Sequence, residues 1–356
     1  MKKLTLLTTT IILAIVGLVA VRNTLDVAVA GSSDTITMYN WGDYIDPELL
    51  KEFEEETGYH VIYETFDSNE AMYTKIKQGG TNYDIAVPSE YMIDKMIDED
   101  LLLPLDHSKL PSINHIDPRF LDQSFDPGNV YSIPYFWGTL GIVYNTEMIS
   151  EGAITSWQDL WKEDFRNSIL FIDGAREMIG LTLQSEGYSL NEKDEAIVRE
   201  AGAKLKQLMP NAKAIIADEM KMYMIQEEAP IGVTFSGEAA MMLEGNEHLT
   251  YLIPSEGTNV WFDNLVIPKT AKNIDGAYAL MNFINRPENA ARNAEYIGYS
   301  TPNKDAKELL PIEVIEDPGF YPNDEQMDHM EVYENLGTDA LGLYNDLFLE
   351  AKIFRN

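Results

Sequence analysis

The chain carries the sequence TITMYNWGDYIDPELLKEFEEETGYHVIYETF at residues 35–66, and this segment predicts a strand, a helix and a second strand. The first strand runs into Trp41. Asp46 and Pro47 are typical of a helix start, because an Asp side chain accepts hydrogen bonds from free backbone N–H groups and proline suits the first turn. Gly58 marks the helix end, and the last seven residues are rich in strand-forming types. This order predicts parallel strands covered by a helix.

The same alternation continues along the chain, whose 356 residues are enough for about two domains. Further strands are predicted at Tyr83–Val87, Thr139–Tyr144, Ser168–Ile172, Lys213–Ala217, Ile231–Phe235 and Val260–Ile267. Further helices are predicted at Ser68–Gln78, from a Ser89 cap onward, and at Trp157–Phe165, Ala175–Ser185, Lys193–Leu208, Ile274–Ile284 and Glu288–Ile297. Alternation of this kind predicts an α/β fold with a mostly parallel sheet. The sequence has no internal repeat and no low-complexity linker, so the domains should be joined by ordered crossings.

The composition excludes several classes of function. The chain has 59 acidic and 26 basic side chains, a formal net charge of −33, and no cysteine. Without cysteine it can form no disulfide, thiolate nucleophile, cysteine-ligated zinc site or iron–sulfur cluster. The acidic balance argues against binding to nucleic acid or to anionic lipid, because both depend on Lys and Arg. A cationic partner would be attracted instead.

Residues 1–30 predict a targeting segment. Lys2 and Lys3 precede a long uncharged stretch, and the small residues Ala28 and Ala30 follow it. This order is typical of a secretory signal peptide. The uncharged stretch is also close to the length of a membrane span, so a retained N-terminal anchor is the alternative. Either one places the body of the protein outside the cytoplasm, in the periplasm or on the outer face of the cytoplasmic membrane.

Common catalytic and nucleotide-binding motifs are absent from the sequence. It contains neither the G-x-S-x-G nucleophile motif nor the G-x-x-x-x-G-K-[ST] phosphate loop. The five histidines are scattered, without a second histidine at metal-ligand spacing. We therefore expect a binding protein with no cofactor and no bound metal rather than an enzyme.

Four segments combine an aromatic residue with an acid or a hydroxyl group near the end of a predicted strand. They are Trp41-Gly42-Asp43-Tyr44, Ser89-Glu90-Tyr91, Trp261-Phe262-Asp263 and Tyr299-Ser300-Thr301. Ligands of open α/β sheets bind beyond the carboxyl ends of the strands. Aromatic faces attract cations there, and a carboxylate supplies the charge that a desolvated ammonium group needs. Each segment alone also fits a core or turn position, but together they predict a site for a cationic small molecule.

Several further motifs, in a fixed order, carry a resemblance to a known family. They are Tyr39-Asn40-Trp41, Glu64-Thr65-Phe66-Asp67-Ser68-Asn69-Glu70, Tyr83-Asp84-Ile85-Ala86-Val87-Pro88-Ser89, Phe125-Asp126-Pro127-Gly128-Asn129, Tyr131-Ser132-Ile133-Pro134-Tyr135-Phe136-Trp137-Gly138, Asp173-Gly174-Ala175-Arg176-Glu177 and Ile297-Gly298-Tyr299-Ser300-Thr301-Pro302-Asn303. With Trp261-Phe262-Asp263, they resemble the spermidine/putrescine-binding proteins, which are the solute receptors of polyamine ABC importers. The resemblance runs from about Thr35 to the C-terminus.

The resemblance implies a two-lobed periplasmic-binding-protein fold of type II, in which each lobe is a mixed sheet flanked by helices. The ligand would lie in the cleft between the lobes, which close by hinge bending. Residues 34–137 with 264–302 would form lobe one, and residues 138–263 with 303–356 would form lobe two.

The resemblance also implies a ligand site made of aromatic walls, hydroxyl groups and two acids that pair with amine nitrogens. The implied acids are Glu177 and Asp263, with Asp43 close by. The other implied contacts are Trp41, Tyr44, Ser89, Tyr91, Phe235, Trp261, Tyr299 and Tyr333. Gly42 and Gly174 stand where known members carry a hydroxyl residue and an acid. These two differences imply an altered preference among putrescine, spermidine and spermine.

The implied partners are the polyamine ligand, an ABC permease and its ATPase, and we expect the receptor itself to be a monomer. Three alternatives remain open at this stage. The first is a receptor of the same fold for iron(III) or a sugar, for which Tyr299 and Tyr333 could serve as iron ligands. The second is an extracytoplasmic enzyme on this fold. The third is a surface protein or adhesin that uses the lobes only as a scaffold.

Overall fold

The computed structural model describes residues 34–217 and 219–354, so the predicted targeting segment at residues 1–30 lies outside the described residues. The strands within these ranges are β1 (Thr35–Trp41), β2 (His60–Phe66), β3 (Ile85–Ala86), β4 (Ser132–Asn145), β5 (Ile169–Ile172), β6 (Ala212–Ile216), β7 (Ile231–Phe235), β8 (Leu249–Leu252) and β9 (Val260–Val266). The helices are α1 (Pro47–Thr57), α2 (Asn69–Gln78), α3 (Glu90–Asp98), α4 (Ala175–Gln184), α5 (Glu195–Leu208), α6 (Met220–Ile225), α7 (Ser236–Gly245), α8 (Ile274–Ile284), α9 (Pro287–Ile297), α10 (Lys304–Lys307), α11 (Ile312–Ile315), α12 (Asp324–Met327) and α13 (Gly337–Phe354).

The strands form one mixed sheet in the order β2-β1-β3-β9-β4-β7-β5-β6, with β8 beside β4. The pairs β1–β2, β1–β3, β5–β6 and β5–β7 are parallel. The central pairs β3–β9, β4–β9, β4–β7 and β4–β8 are antiparallel. The α/β class predicted from the sequence is confirmed, but the expectation of a mostly parallel sheet was wrong for its centre. Parallel pairs need crossover connections, and those occur only in the outer parts of this sheet.

The long strand β4 is the element that the sequence patterns underestimated most. It runs for 14 residues, and each of them is buried. The sequence predicted only Thr139–Tyr144 as a strand in this region. In the structure the register against β9 shifts between Pro134 and Phe136, and such an irregularity accommodates proline within a strand. The first half of β4 pairs with β9 and the second half with β7 and β8, so β4 extends across the whole centre of the sheet.

Local signals placed the first helices correctly. The Asp46 side chain accepts a hydrogen bond from the backbone N–H of Glu48 (2.9 Å), and Gly58 ends α1 in a left-handed conformation with φ of 77°. The Ser68 side chain accepts from the backbone N–H of Ala71 (3.2 Å) at the start of α2. These are the capping contacts that the residue types predict.

Several other elements differ from the sequence prediction. The segment Trp157–Phe165 forms two short 3-10 turns, at Trp157–Trp161 and Glu163–Phe165, instead of an α-helix. The patterns also missed β8, α6, α7 and the long C-terminal helix α13. Helix α13 packs on α5, where Gly202 leaves room for Leu347. That packing joins distant parts of the chain, so local periodicity did not reveal it.

The apolar side chains of the described residues gather in separate clusters. The largest contains buried residues between Ile36 and Trp137, together with residues between Val260 and Tyr321. A second contains residues between Leu140 and Val233, together with apolar residues of α13. A third lies around Val143 and Leu170 on the other face of the same strands. Strand β4 therefore contributes its first half to one core and its second half to the others. No helix in the described ranges has the length and apolar character needed to cross a bilayer.

Candidate functional site

A cavity of about 670 Å³ lies at the centre of the sheet, next to the carboxyl ends of β1 and β7 and the middle of β9. Its wall is formed by Trp41, Gly42, Asp43, Tyr44, Phe66, Asp67, Asn69, Ser89, Glu90, Tyr91, Glu177, Lys221, Phe235, Glu238, Met241, Asn259, Trp261, Asp263, Ile297, Tyr299 and Tyr333. All eleven residues predicted from the sequence are in this set. The structure therefore brings together side chains that lie up to almost 300 positions apart in the chain.

Asp263 is the acid with the best-defined environment. It lies in β9 with 6% of its surface exposed. The Tyr44 hydroxyl donates to its Oδ2 (2.7 Å), and the Ser89 hydroxyl donates to its Oδ1 (2.7 Å). Burial raises the pKa of Tyr44 well above its usual range, so this hydroxyl keeps its proton and acts as a donor. The two bonds fix the orientation of the carboxylate.

Burial also raises the pKa of Asp263 itself to about 6, against the opposing effect of the Tyr44 and Ser89 hydrogen bonds. A carboxylate with this pKa is ionised at pH 7.5, but its negative charge is only partly stabilised in the empty protein. A ligand cation would supply the missing charge. The site is thus arranged to gain free energy when a cation enters.

Asn69 organises the hydroxyl side of the site. Its Oδ1 accepts from the backbone N–H of Ser89 (3.0 Å), while its Nδ2 donates to the Ser89 Oγ (3.0 Å) and to the Tyr91 Oη (3.1 Å). The expectation that Ser89 caps a helix was wrong for its side chain, because the hydroxyl is directed to Asp263 instead. Asn69 belongs to a motif noted in the sequence, but its role depends on packing between distant segments.

Glu177 is the second predicted acid of the cavity, and its side chain lies over Gly174. A β-carbon on Gly174 would come within 1.9 Å of the Glu177 Oε2, so the glycine leaves the space that this carboxylate occupies. Burial raises the pKa of Glu177, while the neighbouring Arg176 and a hydrogen bond with Tyr333 oppose the shift. The Arg176 guanidinium stacks over the Tyr333 ring at 4.2 Å from its centre. The absence of a side chain at Gly174 therefore allows Glu177 to take this position.

Aromatic rings form a large part of the cavity wall. The Trp261 ring meets Tyr299 edge to face with 5.0 Å between the centroids, and it meets Phe235 in the same way at 6.1 Å. The centroids of the Trp41 and Phe66 rings lie 4.6 Å apart, and these two rings are tilted relative to each other. Edge-to-face contacts of this type hold rings in fixed orientations. The rings can therefore present flat surfaces to an aliphatic chain or a cation.

Acidic side chains outnumber basic ones on the cavity wall. Six acids line it, namely Asp43, Asp67, Glu90, Glu177, Glu238 and Asp263. Lys221 is the basic residue among the lining side chains, and its Nζ pairs with Glu238 Oε2 at 3.1 Å. The sequence did not single out Asp67, Glu90, Glu238 or Lys221 as site residues. Glu90 lies within a quoted aromatic–acid segment, so its spacing was the available signal.

A second cavity of about 730 Å³ has a different character. Trp161, Arg166 and Lys204 line it together with several polar residues. The Lys204 Nζ lies 4.7 Å from the centre of the Trp161 ring, so a cation of the protein already occupies the aromatic face. The slightly larger volume therefore does not make it the better site for a cationic ligand. No group of three or more acidic or histidine side chains in the described ranges is arranged to hold a metal ion.

The comparisons with known proteins agree with this architecture. The family model of the bacterial extracellular solute-binding proteins matches residues 48–322. The spermidine/putrescine-binding periplasmic protein of Salmonella typhimurium is 40% identical over 328 residues, which cover 92% of this chain and 94% of that protein. The putrescine-binding periplasmic protein PotF of Escherichia coli is 31% identical over 312 residues, covering 82% and 84% of the two chains.

A solved structure is similar in both sequence and fold. The spermidine/putrescine ABC transporter substrate-binding protein PotD of Streptococcus pneumoniae matches with a TM-score of 0.84 and 64% sequence identity, over 91% of this chain and 100% of that one. These matches confirm the family resemblance noted in the sequence, the solute-receptor class over an enzyme, and the extracytoplasmic character of the family. The chain belongs to the bacterial extracellular solute-binding proteins and, within them, to the family of the spermidine/putrescine-binding proteins.

Proposed function

We propose that this protein binds a polyamine, spermidine or putrescine, in the central cavity and delivers it to an ABC importer. The observation that carries the proposal is Asp263, a buried carboxylate held by two hydroxyl groups in a cavity with six acids and one base. The names of the relatives point to the same ligand class. Aliphatic amines with the pKa of a lysine side chain, about 10.4, are charged at neutral pH.

Different residues of the cavity would bind different parts of such a ligand. Asp263 and Glu177 would each accept hydrogen bonds from an ammonium group. Trp261 and Trp41 would pack on the methylene chain, and a ring near a charged nitrogen would contribute about 0.5–2 kcal/mol more. Tyr333 would support the Glu177 end. A cavity wall that combines these two acids with aromatic rings suits an aliphatic chain that carries positive charges.

The two-lobed arrangement is part of the proposal. Lobe one is residues 34–137 with 264–302, and lobe two is residues 138–263 with 303–356. The change from one hydrophobic cluster to the next within β4 supports the proposed lobe boundary between residues 137 and 138. Apolar residues between 303 and 321 pack in the first cluster, which favours extending lobe one to residue 321. Hinge bending at the strands that join the lobes would close the cavity over the ligand.

The proposed partners follow from the same function. An importer needs a permease that receives the ligand and an ATPase that drives transport, and the closed receptor would present its surface to the permease. We propose that the protein acts as a monomer, exported by a signal peptide or held by an N-terminal anchor. The excess of acidic residues would increase the rate of encounter with cationic ligands, and salt would weaken that effect.

Calorimetric titration of the purified protein tests the proposed function. We expect saturable one-to-one binding of spermidine or putrescine, with weaker affinity when the salt concentration is raised from about 50 to 200 mM. Spermine, iron(III) and a neutral sugar serve as comparison ligands. Binding of iron(III) or the sugar, without heat from any polyamine, would overturn the proposal and support the corresponding receptor. Breakdown of the ligand during incubation would support an enzyme instead.

Gly237→Ala tests the proposed role of the Tyr299 wall. A β-carbon on Gly237 would come within 2.0 Å of the Tyr299 Cε1, so the ring must move and its contact with Trp261 must change. We expect spermidine affinity to fall by about tenfold and stability to fall by about 1–3 kcal/mol from overpacking. Gly342→Ala is the matched control, because that helical position has open space and alanine favours helix there. Unchanged affinity in Gly237→Ala would show that Tyr299 does not shape the ligand site.

A further inference from the structure

Glu90 is a fully buried acid on the cavity wall that the proposed site does not yet use. It is the first residue of α3, and the preceding segment runs beside β9, where the Asn264 N–H donates to the Pro88 carbonyl (3.0 Å). The Glu90 Oε2 accepts from the Phe262 backbone N–H (2.9 Å). Its Oε1 has no hydrogen-bond partner in the described part of the chain. A buried carboxyl oxygen without a hydrogen-bond partner costs free energy, so a donor that reached Oε1 would stabilise it.

We propose that Glu90 is a further ligand-binding group of this cavity, whose Oε1 accepts a hydrogen bond from an ammonium group of the bound cation. The inference rests on the proposed function and adds a third carboxyl group to Asp263 and Glu177. Ser89 and Glu90 lie opposite Phe262 and Asp263, so neighbouring residues on two facing segments present both acids.

The protonation of Glu90 gives the inference a measurable consequence. Burial raises the pKa of this carboxyl to about 8; the backbone N–H of Phe262 opposes the shift, Asp263 on β9 adds to it, and Arg176 on α4 opposes it. The hydroxyl groups of Tyr91 and Tyr333 also face Glu90, and burial raises the pKa of both well above the usual range. Those hydroxyls stay neutral. At pH 7 the empty cavity therefore holds Glu90 mostly as the neutral acid.

Binding of an ammonium group reverses that preference, because a nearby positive charge favours the carboxylate. The O–H bond of Glu90 breaks, the carboxylate accepts from the ligand ammonium, and the released proton passes to the buffer. No electrons are transferred, and the ligand keeps its own proton. We expect release of about 0.3–0.7 proton per bound ligand at pH 7.5, and affinity that rises by about two- to fivefold per pH unit around that pH.

The test is calorimetric titration with spermidine at pH 7.5 in two buffers of different ionisation enthalpy, phosphate and Tris. The parent protein should release protons, and Glu90→Gln should lose most of that release while it still accepts from Phe262. At pH 6.5 Glu90→Gln and the parent should bind spermidine with nearly equal affinity. At pH 8.5 the variant should bind about 3–30-fold more weakly, since only the ionised acid binds better than glutamine. A purely structural role would lower affinity equally at every pH.

Two controls make the outcome decisive. Glu55→Gln removes the same charge from an exposed position of α1, and it should leave proton release unchanged. Glu177→Gln removes another acid of the cavity wall whose pKa is raised. The inference is overturned if the parent releases no proton, or if the release is lost in Glu177→Gln and kept in Glu90→Gln. Failure of the parent to bind spermidine at all would instead overturn the proposed function, and this inference with it.

Discussion

Asp263→Asn is expected to weaken spermidine binding by about 100-fold or more at pH 7.5, because removal of one partner from a buried charge pair costs about 2–5 kcal/mol. The substitution keeps the size of the side chain. It leaves one oxygen to accept from Tyr44 or Ser89, in place of the two carboxylate oxygens that now accept from both. The ligand ammonium would then lie in a buried site without its principal counter-charge. Calorimetric titration of the variant and the parent measures the difference.

The same substitution should not destabilise the empty protein. The folded-state pKa of Asp263 is about 6, above the ordinary value of 3.8, so the folded state binds this proton more tightly than the unfolded state does. Its contribution to stability therefore falls as the pH rises from about 4 to 6, and the loss persists above pH 6. Asparagine carries no charge to bury. We expect thermal unfolding of Asp263→Asn at pH 7.5 to occur at the same temperature as the parent or higher.

The pH dependence of binding provides a second test of the role of Asp263. Protonation of Asp263 below about pH 6 should weaken spermidine binding in the parent, and this additional weakening should disappear in Asp263→Asn. Asp164→Asn is the control, since it removes an equal charge from an exposed position. Equal affinity of Asp263→Asn and the parent would show that this carboxylate does not bind the ligand. A large drop in the unfolding temperature would show that its role is structural.

Much of the candidate site could be predicted because many of its residues lie at the end of a strand or just after it, although Trp261 and Asp263 lie within β9. The segments around Trp41, Ser89, Trp261 and Tyr299 each place an aromatic residue next to an acid or a hydroxyl. Sheet geometry brings such segments together, and the structure gathers all four around one cavity.

The features that sequence patterns missed depend on contacts between distant segments. Glu90 gains its buried environment only because α3 packs beside β9, 172 positions away in the chain. Gly237 is likewise defined by the Tyr299 side chain that lies over it, and no local pattern reveals that contact. The antiparallel centre of the sheet was missed for a related reason. Strand β4 exchanges partners along its length, and only the tertiary structure determines those partners.

Trp261→Ala is the second substitution for which we expect a large effect, and it should reduce both affinity and stability. The Trp261 side chain is 9% exposed and contacts the rings of Tyr299 and Phe235. It also lies directly over Gly138, where a β-carbon would come within 2.5 Å of its Cζ2. Loss of a large buried ring costs about 3–5 kcal/mol of stability. We expect spermidine affinity to fall by about 30-fold or more, because packing on the methylene chain and the cation–π attraction disappear together.

Two further tryptophan variants separate the loss of the ligand wall from the loss of stability. Trp261→Phe keeps an aromatic face and forfeits no protein hydrogen bond, because the indole Nε1 has no partner among the described residues. It should recover most of the stability and part of the affinity. Trp157→Phe changes a fully buried tryptophan that lies outside the cavity and donates to the Gly257 carbonyl. That variant should lose stability and keep its affinity for spermidine. If Trp157→Phe and Trp261→Phe weakened binding equally, the effect would come from general destabilisation. If Trp261→Ala bound spermidine as tightly as the parent, the ligand would lie elsewhere on the protein.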